Sequence, residues 1–238
     1  MMKKWRKRGY LSVLVCLMLI LSGCATASAA AFCSLDGLSV TATTDWSVVN
    51  NPAVLFEEAF VSDVDNGVDL AISDKKGRYF SIERYNCQEQ LNDLVRLADM
   101  LRQQLAVLGE EGLRQQLISQ GLDEEALSQY EALWQCSAGE EAVVYRLLAD
   151  AAWQKQMAAA SQDYVVLGKE DVTLLGSQTI LYEYSYINSS NKAVHGYEAS
   201  VIWKDKLYNF GAWTSEKRFE KSREALKAII LSATPTAQ

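Results

Sequence analysis

The sequence predicts an α+β domain, in which an antiparallel β-sheet is packed by helices and carries a helical insertion. Residues 68–85 alternate apolar and polar side chains around a short turn, as two paired strands do. Residues 86–162 instead carry apolar residues at helical intervals, and the alternation returns from residue 163 until a last helical stretch at 214–231. Strands and helices therefore occur in separate blocks, which favours an antiparallel sheet over alternating βαβ units.

The hairpin at 68–85 is the clearest element. Val68, Leu70 and Ile72 alternate with polar or small residues, so one face of this strand is expected to meet the core. Gly77 ends the turn and supplies the positive φ that such a turn requires. The large side chains expected to be mostly buried along the chain are Trp46, Tyr79, Leu101, Trp203, Trp213 and Leu226.

Two helices flank the second group of strands. Asn86, with Glu89 at capping-box spacing, is expected to open the first helix, which Gly109 interrupts. Thr214 or Ser215 is expected to cap the closing helix, because a side-chain oxygen there can accept from the free N–H groups of the first turn.

Residues 110–162 form the predicted helical insertion. Its short helices are expected to have their own caps at Asp123 and Ser137. Short helices need a surface to pack on, and we expect most of the insertion to cover the sheet. Its tip, residues 121–136, is expected to leave Trp134 partly exposed as a contact site.

The first 23 residues have the composition of a signal peptide. Five basic residues and no acidic residue accompany an apolar run from Leu11 to Leu21, which is too short to span a bilayer of roughly 30 Å. The run ends in LSGC, residues 21–24, and this tetrapeptide resembles the bacterial lipobox. The alternatives are an ordinary secretory signal cut at 27–29 and an uncleaved anchor.

The lipobox resemblance implies that Cys24 receives a diacylglyceryl group (palmitate-type acyl chains) and becomes the new N-terminus after cleavage. Two or three acyl chains hold a protein stably to a membrane. The expected organisation is a signal peptide at 1–23, a lipidated tether at 24–33, a domain at 34–232 and a tail at 233–238. The chain is thus expected at the extracytoplasmic face of the cell membrane, as a lipoprotein of the cell envelope.

The charge of the mature chain excludes some classes of partner. The full chain has 23 basic and 30 acidic residues, and removing five basic residues with the leader leaves a net charge of −12. Nucleic-acid binding depends on clustered Lys and Arg, so no nucleic-acid partner is expected. Anionic lipid headgroups are equally disfavoured, so the acyl chains must supply the membrane affinity.

No catalytic or cofactor-binding motif is recognised, and neither GxSxG, a P-loop nor GxGxxG occurs. His195, the one histidine, is expected on a surface hairpin, which disfavours a Cys–His enzyme. Cys33, Cys87 and Cys136 allow one disulfide or three free thiols, and the sequence does not choose between them.

Acidic residues offer only weak metal candidates. Asp63, Asp65 and Asp69 partly match a calcium loop, but no Glu stands at the twelfth position counted from Asp63. Three pairs of adjacent acids fall near predicted helix starts, where they favour the helix dipole. These pairs are Glu110 with Glu111, Glu124 with Glu125, and Glu140 with Glu141.

A candidate binding face is a group of aromatic residues in the second half of the chain. Its members are Tyr182, Tyr184, Tyr186 and Tyr197, with Trp134 from the insertion. Such rings could line a sugar- or peptide-binding surface. The alternative is that they pack beneath the helices with their hydroxyls at the edge.

Two segments carry a resemblance to a known family. GLSVTATTDW at 37–46 and KLYNFGAWTSEKRFEKSREALKAIILS at 206–232 resemble a lipoprotein type of Gram-positive bacteria related to the PsbP-like and DcrB-like families. The resemblance spans 30–100 and 163–232, and Thr44 and Asp45 stand where that family usually has a proline. It implies an antiparallel sheet packed by helices and an accessory or binding role, without implying a reaction.

These observations lead to a non-enzymatic accessory protein of the cell envelope that binds an envelope protein partner. The alternative is a small-ligand or substrate-binding lipoprotein, with a pocket between the sheet and the helical insertion. A Cys–His enzyme is the third hypothesis.

Overall fold

The computed structural model describes residues 29–34, 36–50 and 67–236. The signal peptide, Cys24, Asp63 and Asp65 lie outside these ranges, so what the sequence predicts for them stays a prediction. Within the described ranges, no helix is both long and apolar enough to cross a membrane.

Strands and helices of the described chain follow the α+β order that the sequence predicts. The strands are β1 Ala29–Cys33, β2 Leu38–Thr43, β3 Trp46–Val48, β4 Gly67–Asp74, β5 Arg78–Asn86, β6 Gln162–Leu174, β7 Ser177–Ile187, β8 Ala193–Trp203, β9 Lys206–Ser215 and β10 Thr234–Pro235. The helices are α1 Gln88–Ser119, α2 Glu124–Gln135, α3 Glu141–Ala160 and α4 Glu216–Leu231. The fold class is therefore confirmed.

Most strands join one large sheet. Seven of them lie in the order β3-β4-β5-β9-β8-β7-β6, each antiparallel to its neighbours, while β1, β2 and β10 form a small second sheet. The predicted hairpin is present, with Ile72 of β4 opposite Phe80 of β5. Gly77 ends its turn at a φ of +73°, and the Asp74 carboxylate accepts the Arg78 backbone N–H at 2.9 Å. The turn chemistry thus sets the register of the hairpin.

The main core lies between one face of the large sheet and α4. Phe219 and Leu226 of α4 are buried against sheet residues such as Phe80 and Phe210. The helix begins after Ser215, one of the two residues predicted to cap it, but the Ser215 side chain makes no capping hydrogen bond in the described structure. This apolar layer contributes most of the hydrophobic burial in the sheet part of the molecule.

The burial predictions hold for half of the six large side chains. Trp46, Leu101 and Leu226 are buried. The other three, Tyr79, Trp203 and Trp213, are only partly buried. Tyr79 and Trp213 lie opposite each other in the ladder between β5 and β9, on the sheet face away from α4. Trp203 lies at the end of β8, where the Lys204 ammonium sits 4.2 Å from its ring centroid.

Helices α1, α2 and α3 share a second apolar core. Its buried members are Ala98, Leu101, Leu113, Leu117, Leu127, Leu133, Trp134 and Val144. Helix α3 also rests on the large sheet through β6 and β8. The helices therefore pack mainly on one another, whereas the sequence suggested that most of the insertion would cover the sheet.

The helix boundaries differ in part from the prediction. The boundary expected at residue 110 falls inside α1, which is broken at Gly109 by a φ of 70° and a ψ of 168°. Asp123 caps α2 as predicted, because its Oδ1 accepts the Ala126 N–H at 2.8 Å. The N-cap of α3 is Glu140, whose Oε2 accepts the Ser137 N–H at 3.1 Å. The cap predicted at Ser137 is thus not formed by its side chain in the described structure, and only its backbone N–H takes part.

Candidate ligand-binding site

A cavity of about 640 Å³ lies between α3 and the sheet face opposite the main core. Its floor comes from β5, β8 and β9, one wall from β7, and its roof from the end of α3. Cavities of this size are typical of sites that take a small organic ligand.

Two glycines on adjacent strands lie at this part of the sheet, and one of them, Gly211, lines the cavity. A Cβ at Gly196 would lie 2.5 Å from the Ala212 carbonyl oxygen and 2.7 Å from the Trp213 Cβ, so the close approach of the strands requires glycine there. A Cβ at Gly211 would meet nothing closer than the Trp213 ring at 3.4 Å. Gly211 therefore leaves space that a side chain could fill.

Aromatic rings form the walls of the cavity. The Tyr79 and Trp213 rings stack with their centroids 5.8 Å apart. Across the floor, Tyr184 stacks on Tyr186 at 6.0 Å and meets the edge of Trp153 at 6.4 Å. Such rings offer a large apolar surface and electron-rich faces to a ligand.

Four polar side chains lie at the floor, and each is more than nine-tenths buried. Ser81, Glu83, Glu198 and Asn209 are 1%, 8%, 6% and 7% exposed. The Ser81 Oγ and the Asn209 Oδ1 have no hydrogen-bond partner among the described residues. A buried polar atom without a partner costs free energy, and a bound ligand can remove that cost.

Glu83 and Glu198 are carboxyl groups in a poorly solvated place. Burial raises the pKa of Glu83, although the Tyr85 hydroxyl, which donates to its Oε2 at 2.7 Å, lowers it in part. Burial also raises the pKa of Glu198 well above its ordinary value, and the nearby Glu83 and Asp150 carboxyls add to the rise. Burial thus disfavours the ionised form of both carboxyls.

A buried ion pair within α3 lies where the helix meets the sheet. Arg146 Nη1 lies 2.7 Å from Asp150 Oδ2, and both side chains are buried. The Tyr182 hydroxyl lies 3.4 Å from the same oxygen. Burial raises the pKa of Asp150, and the Arg146 guanidinium opposes that rise. The Asp150 carboxylate thus joins α3 to β7 through the Tyr182 hydroxyl.

The predicted aromatic face is only partly brought together. Tyr184 and Tyr186 line the cavity, and Tyr182 shares their sheet face at its edge near Asp150. Tyr197 lies on the opposite face, with its ring 5.5 Å from that of Phe219 in the main core. Trp134 is buried in the helical core and 4% exposed. The expectation that Tyr197 and Trp134 join this face is therefore corrected.

His195 is not on the surface hairpin that the sequence suggested. It is 5% exposed, and its ring stacks on Phe219 with the centroids 3.3 Å apart. Its two ring nitrogens lie 3.0 Å from Glu183 Oε1 and from Glu216 Oε2. The strand alternation of β8 turns this residue towards α4, which accounts for the difference.

Cysteines and acid clusters show no further site in the described ranges. Cys33, Cys87 and Cys136 are free thiols there. No group of three or more His, Cys, Asp or Glu residues is arranged to hold a metal ion within 29–34, 36–50 and 67–236. Two of the three predicted acid pairs lie at helix starts, Glu124 with Glu125 in the first turn of α2 and Glu140 with Glu141 at the beginning of α3. Glu110 and Glu111 instead lie inside α1, just after its break at Gly109.

No family model and no curated protein matches the sequence. Solved structures do show similarity. Cyanobacterial PsbP (CyanoP) of Synechocystis shares 14% identity, with 90% of this chain and 96% of that chain covered and a TM-score of 0.44. LpqN of Mycobacterium tuberculosis, described as involved in cell envelope biogenesis, shares 10%, with 88% and 91% covered and a TM-score of 0.39. The Saccharomyces cerevisiae Ran-binding protein Mog1p shares 6%, with 87% and 95% covered and a TM-score of 0.41.

Proposed function

We propose that this chain is a non-enzymatic lipoprotein of the cell envelope that binds a small ligand in the cavity beneath α3. The observation that carries the proposal is the combination of aromatic walls with buried polar atoms that have no partner, Ser81 Oγ and Asn209 Oδ1. Ligand sites typically join a mostly apolar surface to a few polar groups that orient the ligand. The structure thus favours the hypothesis that the sequence ranked second.

Filling the floor of the cavity tests this proposal directly. Gly211→Val adds a branched side chain where a Cβ has room, so it should exclude the ligand while changing the melting temperature by only a few degrees. The protein would be extracted from its native membrane and weighed by native mass spectrometry. We expect a small molecule on the wild type and none on the variant.

A matched control is available on another strand of the same sheet. Gly168 of β6 lies outside the cavity lining, and a Cβ there would approach the Glu183 Cβ at 3.7 Å. Gly168→Val should therefore keep the small molecule. Equal occupancy of the wild type and the Gly211→Val protein would place the ligand elsewhere and refute the proposed site.

The proposed location depends on Cys24. Cys24→Ala should abolish acylation, and the protein should either leave the membrane fraction or keep its leader. Detergent partitioning and the mass of the N-terminus measure this outcome. An unmodified Cys24 in the mature wild-type protein would contradict the lipoprotein assignment.

A protein partner is the second candidate, and one surface favours it. Met100, Val107 and Leu108 of α1 are 47%, 82% and 44% exposed, which is unusual for large apolar side chains on one helix. The same native extraction separates the two functions. A protein that copurifies with the wild type and also with Gly211→Val would support a partner on this surface.

A further inference from the structure

We infer that the cavity selects a small organic cation, such as a ligand that ends in a primary ammonium group. The inference rests on the proposed function, because it assumes that the cavity binds a ligand at all. It goes further by assigning the charge of that ligand. Three features of the described residues support it: the acids of the floor, the acceptor atoms beside them and the rings around them.

Four acids of the described chain are buried outside the cavity, and each has an arginine within 4 Å. Asp69 lies 3.9 Å from Arg84 Nη1 without a hydrogen bond to its carboxylate. The other three have an arginine in direct contact. These pairs are Asp74 with Arg78 at 2.6 Å, Glu141 with Arg102 at 2.8 Å, and Asp150 with Arg146 at 2.7 Å. Buried carboxylates generally need such a partner.

Glu83 and Glu198 differ from those three acids. The groups that influence their ionisation are a tyrosine, an asparagine and other acids, with no Lys or Arg among them in the described structure. Both carboxyls line the cavity. A cation bound there would supply what arginine supplies elsewhere in the chain, and it would be drawn to the ionised form of both groups.

The floor of the cavity offers hydrogen-bond acceptors that have no donor in the described structure. The Asn209 Oδ1 can only accept, and the Ser81 Oγ can also accept. Both atoms lack a partner among the described residues, and they line the same floor as the two carboxyls. An ammonium group has three donors and no acceptor, so it matches this set of acceptors. An anionic ligand could approach Lys192 and Arg218 elsewhere in the lining, but at this floor it would face two carboxyls.

The aromatic walls of the cavity also suit a cation. Cations are attracted to the faces of Trp and Tyr rings within about 6 Å of the centroid. The Trp213, Tyr79 and Tyr184 rings border the floor that holds the two acids. The chain already forms such contacts elsewhere, since Lys169 lies 5.5 Å from the Tyr182 ring centroid. The walls therefore suit the alkyl part and the charge of an organic amine.

Other titratable groups around the floor define how binding should depend on pH. They are Tyr85 on β5, Tyr164 on β6, Tyr182 and Tyr184 on β7, and the Arg146–Asp150 pair on α3, with Lys192 and Arg218 elsewhere in the lining. At pH values below the raised pKa of Glu198, this carboxyl carries a proton that must leave when a cation binds. Affinity should therefore rise by about tenfold per pH unit until that raised pKa is passed.

Titration calorimetry with three probes of equal size tests the inference. The full-length mature protein would be titrated with n-butylammonium, n-butanol and butyrate in one detergent buffer. We expect butylammonium to bind at least tenfold more tightly than butanol, and butyrate to bind most weakly. Butanol binding as tightly as butylammonium would overturn the inference.

Neutral variants of the two acids test whether the floor of the cavity binds butylammonium. Glu198→Gln and Glu83→Gln should each weaken butylammonium binding at least tenfold and reduce its pH dependence, while leaving butanol binding unchanged. Glu220→Gln removes an exposed acid outside the cavity and should change neither. Unchanged butylammonium affinity in both floor variants would refute the assignment even if each variant folds normally.

Failure of the inference differs from failure of the proposed function. A neutral or anionic molecule that is found on the wild type and lost from Gly211→Val would reject the cation and keep the ligand site. If none of the three probes binds and the native protein carries no small molecule, both proposals fail.

Discussion

Phe210→Ala should lower the free energy of unfolding by about 3–5 kcal/mol, because it leaves a large hole in the main core. Phe210 is fully buried on β9, where it pairs with Ile82 on one side and Ala199 on the other. Trp213→Ala, three residues along the same strand, should cost much less. Its side chain points to the other sheet face and is only partly buried beside the cavity.

Urea denaturation of the two variants measures the difference between their free energies of unfolding. The occupancy of the bound small molecule measures the effect of each variant on the cavity. Trp213→Ala should reduce the amount of bound small molecule, whereas Phe210→Ala should act mainly on stability. If Trp213→Ala were as destabilising as Phe210→Ala, the indole would have to be a core residue and the cavity would have to be closed.

Arg146→Ala should also cost about 3–5 kcal/mol, because it leaves the Asp150 carboxylate buried without a cation. The Tyr182 hydroxyl contacts the same carboxylate, so this loss should loosen α3 where it rests on the sheet. In hydrogen-exchange measurements, the backbone amides of α3 should exchange faster in the variant than in the wild type, whereas those of β5 and β9 should change less. Thermal unfolding would give the total change.

Two controls separate the loss of charge pairing from the loss of packing. The double variant Arg146→Met with Asp150→Leu removes both charges and should recover most of the stability. Lys155→Ala removes an exposed ion pair with Glu125 and should change stability little. If Arg146→Ala and the double variant were equally stable, the shape of the side chains would matter at this position and their charge would not.

Elements encoded by neighbouring residues were predictable from the sequence. The hairpin could be located because Gly77 and the alternation around it are local signals, and the Asp123 cap could be located for the same reason. The closing helix begins after Ser215 and has an acidic first turn and one apolar face within sixteen residues. Each of these features depends on spacing within a single element.

The composition of the site was not predictable, because it depends on contacts between distant elements. Glu83 follows Phe80 and Ile82 in an alternating strand, so it would be expected to face solvent. It is instead buried, at the floor of the cavity that the end of α3 roofs. The position of Tyr197 shows the same limit. The alternation of apolar and polar residues shows which side chains share a face within one strand. Which faces of β7 and β8 lie on the same side of the sheet depends on the pairing of the two strands, which places Tyr197 opposite Glu183.

The separation of the two apolar clusters has a thermodynamic consequence. The helical cluster contains no member of the sheet cluster, and α3 meets β7 through the Asp150–Tyr182 contact and the ring contact of Trp153 with Tyr184. Layers that share few apolar contacts can open separately, so the empty protein should melt in two steps. A molecule seated between the layers stabilises only the closed arrangement and adds RT ln(1 + [L]/Kd) to it. Saturation of the cavity should therefore merge the two steps into a single cooperative transition.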